Sequence, residues 1–81
     1  MPMFYIRAIN STFQTRDEGK EYALAEHALR AGVDAAIAIA TDELRQGRTN
    51  TAVEVCIEDR QEEAVLRSVV SLGVCTLQLR A

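Results

Sequence analysis

The run AEHALRAGVDAAIAIATDELRQG, residues 25 to 47, constrains the fold of this chain more than any other feature. Apolar residues step by threes and fours from Tyr22 through Leu29, Val33, Ala36 and Ala40 to Leu44, tracing one face of a helix from about residue 22 to Gln46. Ile37 and Ile39 flank that stripe, and Lys20, His27, Arg30, Asp34, Thr41 and Arg45 stand opposite. Gly47 supplies the stop, with Arg45 and Arg48 near the negative end of the helix dipole. Such a helix is about 35 Å long. Its alanines raise helix propensity and thin its surface, which suits close approach to a flat partner, a β-sheet. The start is poorly marked, because no Ser, Thr, Asp or Asn stands at residues 20 to 26 as a cap.

The rest of the chain supplies strands for such a sheet. In MFYIRAI, Phe4, Ile6 and Ala8 alternate with Met3, Tyr5, Arg7 and Ile9, a period of two. Asn10–Ser11 suits a turn, TFQT a short return strand around Phe13, and RDEG a stop in which Gly19 takes a positive φ. TAVEVCIED is the cleanest strand, with Val53, Val55 and Ile57 on one face and Glu54, Cys56 and Glu58 on the other. Residues 60 to 72 admit two readings. Asp59 with Glu62 resembles a helix N-terminal capping pair that Gly73 would close. Against this, Ala64, Leu66, Val70, Leu72 and Val74 share one parity, and VVSLGVCTL is β-branched and of strand length. A hairpin turning at Arg60–Gln61 is preferred; it sets Glu54 opposite Arg67. The expected architecture is α+β, ββαββ: a four-stranded, mainly antiparallel sheet with one long helix on one face.

Size and charge narrow the functions. With 81 residues there is room for one domain, 1–81, and a chain this short buries only about 60–65% of its unfolded surface, so dimerisation would help. The 48% apolar content allows a core. Nine basic and twelve acidic residues give a net charge of −3, and the arginines (7, 16, 30, 45, 48, 60, 67, 80) are scattered singly, which argues against nucleic acid as partner. One histidine with two distant cysteines matches no zinc spacing. The start, MPMFYIRAIN, does not read as a signal peptide, and the Ala31–Ala40 run, broken by Asp34, is too short to span a bilayer. A cytoplasmic setting with reduced thiols is expected.

In the order FYIRAINSTF, DEGKEY, the alanine-rich helix ending in DELRQG, and VEVCIED followed by VLRSVVSLGV, the chain resembles a small bacterial family of domains of unknown function. The resemblance implies two hairpins flanking one helix, with the last stretch a strand, and implies no activity. The chain departs from it at Ala23 and Leu24, where relatives have a proline or a capping residue. The start MPMF, followed by strand, helix and strand, also resembles the tautomerase superfamily. That likeness implies removal of Met1 and a Pro2 amine acting as general base, with burial lowering its pKa toward neutrality. It covers four residues, and residues 10 to 19 insert an arm the superfamily lacks. The plain reading of Pro2 is a residue before a first strand.

No catalytic, cofactor-binding or metal-binding residue is assigned. His27 lies near Asp34 and Arg45 on the polar helix face with no serine or cysteine at helical spacing, as a solvated histidine does. The hairpin puts Cys56 opposite Val65 and both cysteines on the outer parity of their strands, with Cys75 about 33 Å further on, beyond disulfide reach. A helix over 60–72 would instead let them meet. The acidic EDRQEE at 58–63 lacks the ligand pattern of a calcium loop and suits a solvated turn. The informative surface is the sheet face turned from the helix, carrying Tyr5, Arg7, Ile9, Glu54, Cys56, Val65, Arg67 and Val69. Tyr5, Arg7, Ile9, Val65, Arg67 and Val69 are the candidate protein interface. The expected function is a small cytoplasmic, non-catalytic interaction module. Its partner is itself or another protein, met through the open sheet face or an edge strand.

Overall fold

Residues that alternate every second position become paired strands here, and the alanine-rich run becomes the helix lying across them. The computed structural model describes residues 1–80, which form β1 (Met3–Ile9), β2 (Gln14–Arg16), β3 (Lys20–Glu21), α1 (Ala25–Arg45), β4 (Asn50–Glu58) and β5 (Ala64–Gly73). The sheet runs β2-β1-β4-β5, β3 also pairs with β1, and every pairing is antiparallel. This is the α+β, ββαββ arrangement, with α1 against one face.

The sheet has five strands rather than four, because the arm following Asn10 is in two pieces. β2 meets β1 over Arg7–Ile9 and β3 meets it over Met3–Phe4, leaving Asp17, Glu18 and Gly19 between. Asp17 organises this gap. Its N–H donates to the Ile6 carbonyl at 3.0 Å, and its Oδ1 accepts from the N–H of Ile6 at 2.9 Å and of Gly19 at 3.1 Å. Gly19 has φ +88°, and a Cβ there would collide with the Tyr5 ring, so both backbone and ring demand glycine. RDEG therefore interrupts the arm without ending it. Phe13 belongs to the turn, its carbonyl accepting from Asn10 N–H, and the return strand begins at Gln14.

The helix starts at Ala25, three residues later than its periodicity suggests. Tyr22 N–H donates to the Pro2 carbonyl at 3.0 Å, so Tyr22 stays with the strand arm and reaches the core from there, while Lys20 lies in β3. Leu24 precedes the helix in extended conformation with no side-chain cap. The 21 residues span about 31 Å. The N–H groups of Gln46, Gly47 and Arg48 fold back on the carbonyls of Asp42 to Leu44, with Gly47 at φ +106°. At this end Glu43 accepts hydrogen bonds from Asn10 Nδ2 (3.1 Å) and from the Thr51 hydroxyl, pinning α1 to β4 and to the end of β1.

The buried axis of α1 is Ala28, Gly32, Ala36 and Ala40, a ridge of small residues at every fourth position. Leu29 and Ile39 pack along its flanks, Val33 is half-buried, and Ile37 is 45% exposed, so the stripe lies rotated from the one drawn through Leu29 and Val33. The reason is size. Val53, Val55 and Ile57 on β4 are fully buried, and the bulk they present needs a thin helix above it. Ile6, Phe4, Leu66, Val70 and Leu72 complete the packing from β1 and β5.

Residues 64 to 73 are strand, not helix, and their register differs by two from a turn at Arg60–Gln61. The loop has three residues, Arg60–Glu62, closed by Asp59 N–H to the Glu63 carbonyl (3.0 Å) and Glu62 N–H to the Asp59 carbonyl (3.1 Å). Asp59 Oδ1 accepts from Gln61 N–H and Glu63 N–H, so the apparent capping residue does cap, but it caps a turn. Glu62 sits at φ +64°, at a cost of about 1 kcal/mol. Val69 therefore lies opposite Glu54, and Arg67 opposite Cys56, in place of Arg67 and Val65 respectively. A shift of two keeps Leu66 to Gly73 on their expected faces, whereas Ala64, expected to share the side of Leu66, pairs with Glu58 of the outer face. Val65 is the extra residue absorbed at the irregularity beside Ile57 and Glu58.

Candidate functional site

On the face turned from α1, the register sets Arg16, Arg7, Cys56 and Arg67 side by side across four strands. Arginines scattered singly along the chain thus become a row, and β4 supplies Glu54 and Glu58 two residues to either side of Cys56. Glu58 accepts from Arg7 Nε at 2.9 Å and from Arg16 Nε at 2.8 Å, with Arg7 Nη2 at 3.4 Å. The Arg16 guanidinium also lies over the Tyr5 ring, 4.2 Å from its centroid. Arg67 donates from Nε to Glu54 Oε1 at 2.7 Å. The expected Glu54–Arg67 pair forms, but diagonally.

These contacts set the local electrostatics. The hydrogen bonds from Arg7, and then from Arg16, hold the Glu58 carboxyl below the ordinary glutamate range, against the opposing effect of burial. Burial pushes the Cys56 thiol up, and Glu58 adds to the shift. A buried thiol that resists ionisation is a poor nucleophile. The lowered Glu58 pKa fixes the sign of its pH effect: its contribution is complete above the unfolded-state value and is lost as pH falls through the folded one. Glu58→Gln is expected to cost about 1–2 kcal/mol at pH 7. The gap between variant and parent should narrow well below about pH 4.3, where the parent's carboxylate protonates. Urea midpoints of the two proteins at pH 7 and in acid check this; a gap that stays constant would show that the ion pairs do not contribute.

The six candidate interface residues fall into two groups with β4 between them. Tyr5, Arg7 and Ile9 on β1 are half-buried, Tyr5 beneath Arg16 and Arg7 engaged by Glu58. Val65, Arg67 and Val69 on β5 are exposed, Val69 at 64%. The two edges of the sheet differ more sharply still. The β2–β3 edge is short, interrupted at Asp17–Gly19, and carries Arg16, Asp17, Glu18, Lys20 and Glu21. Charges and interruptions of this kind blunt an edge against pairing. β5 is a ten-residue edge whose only charge is Arg67 and which contains no proline. Sequence reasoning did not separate the two edges, although the contrast of RDEGKE with AVLRSVVSLG carried the signal.

The remaining candidates do not converge. His27 is exposed on α1. Cys75 lies beyond the end of β5, not on a strand, and both cysteines are free. Pro2 is exposed, with its carbonyl bound to Tyr22 N–H. EDRQEE is divided between the Glu58 ion pairs and the Asp59 turn. A cleft of about 290 Å³ opens beside α1, which lies mainly over β4 and β5. Ile6, Ala8, Gly32, Ala35 and Ile39 give it apolar walls, with Thr15 at one side. No helix among the described residues is long and apolar enough to cross a membrane. Comparison with protein-family models, curated proteins and solved structures finds no match to this chain, so the resemblances drawn from its motifs rest on those residues alone.

Proposed function

We propose that this chain is a small, non-catalytic interaction module that pairs with a second copy of itself along β5, with Val65, Arg67 and Val69 at the contact and Tyr5, Arg7 and Ile9, across β4 on β1, outside it. The observation that carries this reading is the bare β5 edge, ten residues long with a single charge, beside an opposite edge guarded by five. Its unpaired backbone donors and acceptors are a template for another strand. The small domain gains the burial that its own size limits. The arginine row is engaged by Glu54 and Glu58, which leaves little for a phosphate backbone, and two free thiols suit a reducing cytoplasm.

Size-exclusion chromatography with light scattering should report a dimer. Val69→Lys sets a charge on the exposed edge of each copy and is expected to weaken association at least about tenfold, with the circular dichroism spectrum unchanged. A parent chain that stays monomeric at high concentration overturns the reading. A dimer indifferent to Val69→Lys moves the contact away from β5.

A further inference from the structure

Beyond Gly73 the chain continues as VCTLQLR, residues 74–80, held to the domain at Val74 and assigned to no strand. The molecule measures 59 × 21 × 17 Å, whereas a ten-residue strand spans about 34 Å, so the long axis also accommodates these residues. Val74 N–H donates to the Thr49 carbonyl at 2.6 Å, which carries the line of β5 one step past its end and opposes a reversal at Gly73. From there Leu77 is 74% exposed and Leu79 89%. Cys75, Leu77 and Leu79 alternate with Thr76, Gln78 and Arg80, the period of a strand without a neighbour.

Resting on the self-association read above, we infer that residues 74–80 are the strand that the β5 edge of a second copy accepts, exchanged reciprocally about a two-fold axis near Gly73. Antiparallel pairing centred there sets Val74–Arg80 of one copy along Leu66–Leu72 of the other. Leu77 then falls beside Val69, Leu79 beside Arg67, and Cys75 beside Ser71, all on the face turned from α1. No two arginines are opposed, and glycine, without a side chain, stands where the strands cross. Pairing centred on Val69 would leave both leucines in water.

The test uses the full chain. Leu77→Asp/Leu79→Asp and, separately, Leu77→Pro change side chains or N–H groups outside the folded body; the Leu77 N–H, three residues from that of Val74, lies on the edge turned from β4. Each is expected to weaken the dimer at least about a hundredfold while leaving the unfolding midpoint of the monomer unchanged. Ser71→Cys, treated with oxidised glutathione, should yield a dimer joined by the introduced thiol of one copy and Cys75 of the other, identified by peptide mass. A dimer that survives both tail variants but dissociates with Val69→Lys overturns this inference and keeps the edge-pairing reading. A dimer in which the introduced thiol and Cys75 never join overturns the register. A parent chain that is monomeric throughout overturns both.

Discussion

Gly32→Leu is expected to remove about 3 kcal/mol or more of folding stability, read as a fall in the urea midpoint. A Cβ at Gly32 alone would meet Val55 Cγ1 at 2.6 Å and Ile6 Cγ2 at 3.0 Å, with Ile57 Cδ1 at 3.8 Å. Those methyls belong to β-branched side chains with few rotamers, and Val55 and Ile57 are fully buried, so none can swing aside. The helix would have to lift from the sheet, opening space along the Ala28–Ala40 ridge. Gly32→Ala separates the opposing terms. Alanine gains about 1 kcal/mol of helix propensity, whereas overpacking costs about 1–3 kcal/mol, so a net loss is expected. In a Val55→Ala background the same change should become neutral or favourable, because the clashing methyl is gone. If Gly32→Ala stabilised the parent by its full propensity gain, α1 would be free to shift and the ridge would not set its height.

That ridge marks where reading the chain as a sequence stops. Strands around Phe4, Ile6 and Ala8 and around Val53, Val55 and Ile57 are legible because alternation of large apolar residues directly encodes a buried face. The helix axis is less so: hydrophobicity weights Leu29 and Val33 above Ala28 and Gly32, while packing against a bulky sheet selects the smallest side chains. β3 has two residues, too few to show a period, and its pairing depends on the Asp17 carboxylate replacing a ladder partner. Asp59 and Glu62 have a spacing that serves a helix start or a turn equally, since both need an oxygen to accept from N–H groups two to four residues on. The arginine row was beyond reach for a related reason. Register across β4 and β5 depends on the length of the loop and on the irregularity at Val65, and together these decide whether Arg67 faces Glu54 or Cys56. From Leu66 onward the faces are the expected ones, so Arg67 and Val69 were legible as residues of the outer face even though their neighbours were not.

Ile57→Ala is expected to cost about 3–4 kcal/mol, and Ile57→Val about 1 kcal/mol. Ile57 is fully buried, pairs with Ile6 on one side and Leu66 on the other, and lies beneath Gly32. Backbone pairing on both sides of β4 limits how far the sheet can close over the vacancy. A domain of this length has only about 4–12 kcal/mol in hand, so the alanine variant stands close to unfolding at ambient temperature. It is consequently the most sensitive reporter of association. Anything that binds the folded state alone raises apparent stability with its concentration. If β5 accepts a strand from a second copy, the urea midpoint of Ile57→Ala should climb as protein concentration rises about a hundredfold. The climb should vanish when Val69→Lys is added. A midpoint independent of concentration in the parent and in Ile57→Ala alike would mean that the folded chain stands alone and that its bare edge remains unpaired.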